Sequence, residues 1–244
     1  MTRTYISEDN LGDFDTPEKT AFKKQVYRLH VQSGARRRDF SDVLPESRLG
    51  TIEDGHKARK DAAAACVQLL AKAREDLEAA KQAREAAATR VRAIGVASAY
   101  RSAQRQFRIW DRNFARYYEL TKDRRRKAPG GEHGDAAARL LRSFIAGRLA
   151  APGFSLHNNG IAIDFTTTEG KTRLGASKRQ TAEWKRAWFY AWLTAHAGDF
   201  QFALNPHIDE PWHWELSGTV TLMQFEPEEI VADSCLTDQP GYAA

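Results

Sequence analysis

Apolar positions along the chain follow two spacings, which separate helical from extended stretches. From about 57 to 92, Cys66, Leu70, Ala73, Leu77, Ala80, Ala83, Ala87 and Val91 recur at steps of three and four in a background of Ala, Lys, Arg and Glu. This predicts a long amphipathic helix with a small-residue seam. The seam is too rich in alanine to hold a strong coiled-coil dimer, so the helix is expected to pack within the chain. Ahead of it, Thr16, Pro17 and Glu18 read as an N-cap, a first-turn proline and a first-turn acid. They predict a helix over 17–32, ended at Ser33-Gly34. Residues 34–56, with Arg36 to Arg38, Pro45 and Gly50, read as a loop.

Further along, 91–98 reads as a short strand and 102–122 as a helix. A basic, glycine-rich loop (Arg124, Arg125, Arg126, Gly130, Gly131, Gly134) leads to a helix over 135–149. Gly160 to Thr167 alternates small or polar with large apolar residues, the period of a strand. A tryptophan-rich helix over 177–197 follows, then short strands at 201–204 and 212–216, with a third candidate at 219–225. Residues 1–15 are polar and expected to be ragged, and the acidic segment from 226 is expected to be loosely held. Helices and strands without regular alternation point to an α+β fold: a small antiparallel sheet flanked by helices, with an added N-terminal helical segment. The expected division is a helical segment 1–90, a domain 91–225 carrying the chemistry, and an acidic tail 226–244.

Composition changes this picture little. An apolar fraction of 42% and a charged fraction of 28% describe an ordinary globular chain, with no run near the roughly 20 apolar residues a membrane span needs. The first ten residues have no apolar core of a secretory signal. The expectation is synthesis in the cytoplasm without a classical signal peptide, with any wall substrate reached after lysis or by dedicated delivery. A net charge of +5 favours polyanionic partners without choosing among nucleic acid, anionic lipid and an acidic wall. Cys66 and Cys235 are neither a zinc knuckle nor a disulfide framework, and Cys66 reads as a core residue. Phosphate-binding loops, dinucleotide fingerprints and nucleophile elbows are absent from the sequence.

Two segments carry candidate chemistry. In the first, His157 precedes an Asn-Gly turn signal, and Gly160, Ala162 and Asp164 share one face of the strand that follows, opposite Ile161, Ile163 and Phe165. The apolar face can anchor in a core, while the other stays small until a single carboxylate appears. In the second, Glu210, Pro211, Trp212 and His213 stand together. Taken singly, either histidine reads as an ordinary structural one. Together, His157, Asp164 and His213 supply the three protein ligands typical of a catalytic zinc, with Glu210 placed as a general base. Strict alternation would put Glu210 and His213 on opposite faces, so a bend at Pro211 that turns both toward the metal is expected. Trp212 and Trp214 read as packing or pocket-wall residues. His133 reads as solvated, His207 as a turn residue, and His30 and His196 as helical residues without a ligand-spaced partner.

The pattern S-x-H-x-x-G-x-A-x-D at Ser155, His157, Gly160, Ala162 and Asp164, followed by E-P-W-H at Glu210 to His213, resembles the D-alanyl-D-alanine carboxypeptidase family of zinc peptidases. That family includes vancomycin-resistance D,D-carboxypeptidases and phage endolysin peptidases. Ser98, Ala99, Tyr100, Arg101 and Ser102, followed by Gln106, resemble a third element of the family, with Ala99 in place of its usual glycine. The resemblance spans roughly 90–217. It implies one zinc per chain on His157, Asp164 and His213, Glu210 as proton carrier, and Arg101 stabilising an oxyanion or holding a carboxylate. It also implies Ser155, Gln106 and Tyr100 at the substrate. The activity implied is hydrolysis of D-amino-acid peptides of bacterial peptidoglycan, as a D,D-carboxypeptidase. An endopeptidase acting as endolysin or delivered effector is the alternative, and a non-catalytic basic helical module is the reading from another class. Peptidoglycan stem peptides or D-alanine-containing peptides are the expected partners, nucleic acid is not, and the sequence leaves the oligomeric state open.

Overall fold

A computed structural model describes residues 6–217; the strand candidate at 219–225 and the acidic tail lie outside the described residues. Helix α1 spans Pro17–Ala35, capped as expected by the Thr16 side chain, which accepts from the Lys19 amide. It runs through Ser33-Gly34 rather than stopping there. Gly34 serves close packing instead: a Cβ at that position would lie 2.9 Å from the Phe154 ring. From Ile6 onward the N-terminal segment is less ragged than its polarity suggests. Ile6 and Leu11 are buried, and the Tyr27 hydroxyl donates to the Ile6 carbonyl at 2.6 Å.

The stretch expected to be a loop supplies the first strand of a small hairpin, β1 (Leu49–Thr51), and the first residues expected of the long helix supply the second, β2 (Lys57–Arg59), paired antiparallel with Gly50 opposite Ala58. Helix α2 spans Lys60–Gln82, shorter at both ends than the periodicity predicted. Its stop is an Arg84 with φ of 59°, flanked by Glu85 N–H donating to Ala80 O at 3.0 Å and Arg84 N–H to Lys81 O at 2.9 Å. Such left-handed stops usually carry glycine, so an arginine there gave no signal.

Strand β3 (Val91–Ser98) leads to α3 (Ala103–Leu120), whose first turn is capped by Ser102. The basic run expected in a loop forms a short helix, α4 (Lys122–Arg126), with Arg125 fully buried. Its guanidinium stacks 3.6 Å from the Tyr118 ring and donates to Tyr118 O, Thr121 Oγ1 and Glu132 O. Helix α5 (Asp135–Ala146) and strand β4 (Ala162–Glu169) follow, then β5 (Thr172–Leu174). The single helix expected over 177–197 is broken into α6 (Thr181–Trp184) and α7 (Trp188–His196), with Ala187 extended between them. The break is held from afar, because the Trp188 amide donates to Glu169 Oε1 at 2.8 Å. Strands β6 (Phe202–Leu204) and β7 (His213–Leu216) complete the order.

The main sheet runs β3-β4-β7-β6, with β5 pairing the far end of β4, and every pairing is antiparallel. The fold is α+β, as the sequence implied. One apolar cluster joins α2, α7 and the buried face of the sheet, with Ile163, Phe165 and Phe189 inside it. The Cys66 thiol is buried there, and burial pushes its pKa up to about 12. A second cluster joins α1, α3 and α5 around Trp110 and Phe114. Among the described residues, no helix is long and apolar enough to cross a membrane.

Candidate metal centre

The site is assembled at one end of the three neighbouring strands β3, β4 and β7. Asp164 and His213 are direct cross-strand partners, and Ser98 sits opposite Asp164 on its other side. This register matters because a slip of one residue would turn either side chain to the opposite face. His157 arrives from the turn before β4. Gly160 closes that turn with φ of +69°, and a Cβ there would lie 2.8 Å from the Arg59 amide and 2.9 Å from Leu44 Cδ1. Both the backbone conformation and the close approach require glycine. Asn158 ties the turn down. Its Oδ1 accepts from the amides of Gly153 and Ser155, and its Nδ2 donates to Arg101 O at 2.6 Å.

Ligand atoms of His157, Asp164 and His213 all lie within 4.8 Å of one another, and all three residues are buried. His157 Nε2 is 3.2 Å from Asp164 Oδ2, and His213 Nδ1 is 2.9 Å from Asp164 Oδ1. A tetrahedral zinc with bonds near 2.1 Å separates its ligand atoms by roughly 3.4 Å, so the donor set fits such an ion in type and spacing. The ring nitrogens facing away are also engaged. His157 Nδ1 donates to the Ala99 carbonyl at 2.7 Å, which orients the ring and leaves Nε2 as the nitrogen that faces Asp164. Alanine at 99 is accommodated, since its φ is not among the positive values of the chain. His213 Nε2 meets Glu215 Oε1 at 3.1 Å, and Glu215 is in turn held by Asn205 Nδ2 at 2.9 Å.

Without an ion, this clustering has electrostatic consequences. Burial alone would raise the Asp164 pKa, but the charges and hydrogen bonds of the two imidazoles hold it well below the usual carboxylate range. Burial would lower the His213 pKa, yet bonds to Asp164 and Glu215 push it up to about 10. With a carboxylate on each nitrogen, the free ring carries both protons.

The backbone does turn at Pro211, with His213 N–H donating to Glu210 O at 2.9 Å just before β7. Glu210 is not one of the three clustered groups, and its carboxylate lies 3.5 Å from Lys178 Nζ. Arg101 is tied to the site through its backbone, its amide donating to His157 O at 3.0 Å. Its Nε is buried without a partner. Burial pulls the guanidinium pKa down, opposed by the charges of Asp164 and Glu210 and aided by that of Arg105. Ser155 Oγ accepts from the His157 amide at 3.3 Å, and the Tyr100 hydroxyl accepts from the Leu44 amide at 2.9 Å. Gln106 points toward Ala150 O at 2.8 Å, with its own oxygen buried and unpartnered. Trp212 and Trp214 pack in the core under the sheet. Away from the site, His133 is not simply solvated but bridges Tyr118 Oη at 2.7 Å and Glu18 Oε1 at 2.8 Å.

Asn158, Lys178, Asn205 and Glu215 escaped sequence reasoning. Only Glu215 had a readable signal, since residues two apart on a strand share a face and it follows His213 by two.

The family VanY, D-alanyl-D-alanine carboxypeptidase, matches residues 55–219, and so takes in α2, which the motif resemblance from about 90 did not reach. No curated protein matches the chain. Among solved structures, VanYB in complex with D-alanine-D-alanine is 19% identical with a TM-score of 0.46, covering 74% of this chain and 86% of the other. A mutant of the vancomycin-resistance D,D-pentapeptidase VanY in complex with Zn(II) is 20% identical with a TM-score of 0.47, covering 74% and 87%. The LdcB LD-carboxypeptidase is 20% identical with a TM-score of 0.38, covering 74% and 66%.

Proposed function

The chain belongs to the VanY D-alanyl-D-alanine carboxypeptidase family, peptidases that hydrolyse peptidoglycan, and from that premise we propose that it is a zinc-dependent D,D-carboxypeptidase acting on stem peptides. The observation that carries this reading is the convergence of two imidazoles and one carboxylate within 4.8 Å, each ring oriented by an outer acceptor. His157 through Nε2, Asp164 through a carboxylate oxygen and His213 through Nδ1 would hold one zinc per chain. A zinc there would supply Lewis acidity, polarising the scissile carbonyl and acidifying water.

The remaining roles fall to the protein's own side chains. Glu210 takes a proton from the attacking water and returns it to the leaving amine, so water is added across the peptide bond with no net change in protons. Ala99 and Glu215 hold the two imidazoles in their ligating orientations. Arg101, desolvated and with a buried N–H unpartnered, offers its planar fork to the free carboxylate of the terminal D-residue. That feature favours release of a terminal residue over cleavage inside a crosslink. Ser155, Tyr100 and Gln106 line the substrate side. Of these, Gln106 has an acceptor free to take a bond.

The test is mass spectrometry of muropeptides incubated with the purified protein, alongside metal analysis. Wild type is expected to bind one zinc and release a single terminal D-residue. Glu210→Ala should keep the zinc and lose 10²-fold or more of turnover, roughly the contribution of a general base. His157→Ala should lose both. Full activity in either variant, or no zinc in wild type, refutes the mechanism.

A further inference from the structure

Helix α3 has one face that the mechanism does not use. At 3.6 residues per turn, Arg105, Arg108, Arg112 and Arg116 fall within an arc of roughly 80° and extend about 16 Å along the axis. The opposite face buries Phe107, Trp110, Phe114 and Tyr118, so the arginines point directly away from the core. Amphipathic helices ordinarily turn charge outward, and α2 illustrates the usual form. There Lys72 pairs with Glu75 and Asp76 at 3.3 and 2.8 Å, and Lys81 with Glu78 at 2.8 Å. The α3 stripe differs, because none of its four guanidinium groups has a hydrogen-bond or ion-pair partner among the described residues. The acids of the same helix are engaged elsewhere, Asp111 with Lys23 at 2.6 Å and Glu119 near Lys122 at 4.0 Å.

The stripe is continuous with the site. Arg105 lies four residues after Arg101, its charge acts on that guanidinium, and Ser102 between them caps the helix. We propose that this face of α3 holds the carboxylate-bearing peptidoglycan mesh beside the metal centre, so that neighbouring stem peptides anchor the enzyme while one is processed. The proposal rests on the peptidase reading. Stem peptides offer free carboxylates on side branches and at their ends, matching an unpaired cationic row by charge. A nucleic acid would match the charge equally, but it has nothing to deliver to the site where the row begins.

The test compares the full chain with an Arg108→Gln/Arg112→Gln/Arg116→Gln variant, leaving Arg105 in place because of its proximity to Arg101. Sedimentation with purified sacculi stripped of phosphate polymers is measured in a Glu210→Ala background, so that the mesh is not consumed. Turnover of a small soluble stem peptide is measured in the wild-type background. The triple variant should bind sacculi roughly tenfold more weakly at low salt, with a shallower salt dependence. It should turn over the small peptide unchanged, and Arg→Lys at the same three positions should restore binding. Unchanged sacculus binding overturns the proposal, as does a loss confined to duplex nucleic acid or to phosphate-bearing walls. Sacculus binding that falls while wild type never cleaves the small peptide would instead refute the peptidase reading and keep the surface.

Discussion

His30 provides a quantitative test of the second core cluster. Its ring is buried between α1 and α3 at 3% exposure, and Nδ1 accepts a hydrogen bond from Trp110 Nε1 at 3.0 Å. An indole N–H can only donate, so the neutral imidazole must carry its proton on Nε2. Protonating the ring would set two N–H groups against each other in a dry site facing the cations of Arg142 and Arg37. Burial first, then those two charges, push the His30 pKa down from 6.5 to about 4. The unfolded chain therefore binds a proton that the folded chain refuses between these values, and stability rises with pH across the window. The contribution is complete above about pH 6.5 and is lost as pH falls toward 4. At about 1.4 kcal/mol per pH unit, the span amounts to about 3 kcal/mol. His30→Gln keeps an acceptor for Trp110 and cannot titrate. Urea unfolding of both proteins, with chelator present, at intervals from pH 7.5 to 4 should show wild type losing about 3 kcal/mol more than the variant. Parallel profiles would refute the argument.

Glu215→Ala should weaken zinc binding about 10- to 100-fold in competition with a chromophoric chelator, because the outer acceptor on His213 Nε2 is lost; Glu215→Gln, which keeps an acceptor, should lose less. Gly160→Ala forces a positive φ on a side chain that meets the Arg59 backbone at 2.8 Å, and is expected to cost about 2–4 kcal/mol in denaturant unfolding and to reduce metal occupancy. Arg125→Met removes a buried cation with three hydrogen bonds and a ring contact, and should cost about 3 kcal/mol in the same assay. Exposed Arg124→Ala should stay within about 0.5 kcal/mol of wild type.

Much of the molecule was legible where information is local. The cap at Thr16, the period-two face carrying Ala162 and Asp164, and the turn at Pro211 all follow from residues within a few positions of one another. What was hidden depends on distant partners. The helix expected over 177–197 breaks because Glu169, nineteen residues before Trp188, supplies the acceptor for a new helix start. Helix α2 stops at an arginine in a conformation that composition would assign to glycine. Arg125 reads as one member of a basic loop, and only the fold reveals a guanidinium lying on Tyr118. At the site, the residue types were readable, but the cross-strand pairing of Asp164 with His213 joins positions 49 apart, and the Ala99 carbonyl behind His157 has no side-chain signature at all.

Where the two apolar clusters meet also bears on how the site responds to damage. Asp164 and His213 stand on strands whose opposite faces belong to the first cluster, so sheet pairing holds them. Arg101 lies between β3, which belongs to that cluster, and α3, which belongs to the second. Asn158, in the turn before β4, ties to the same junction through its bond to Arg101 O. Loosening of the α1–α3–α5 cluster therefore reaches Arg101 through the start of α3, while two of the three proposed metal ligands remain fixed by strand register. In the proposed mechanism, holding an ion and positioning a substrate carboxylate therefore depend on different cores. Substitutions that weaken the second core are thus expected to reduce substrate binding before they release the metal.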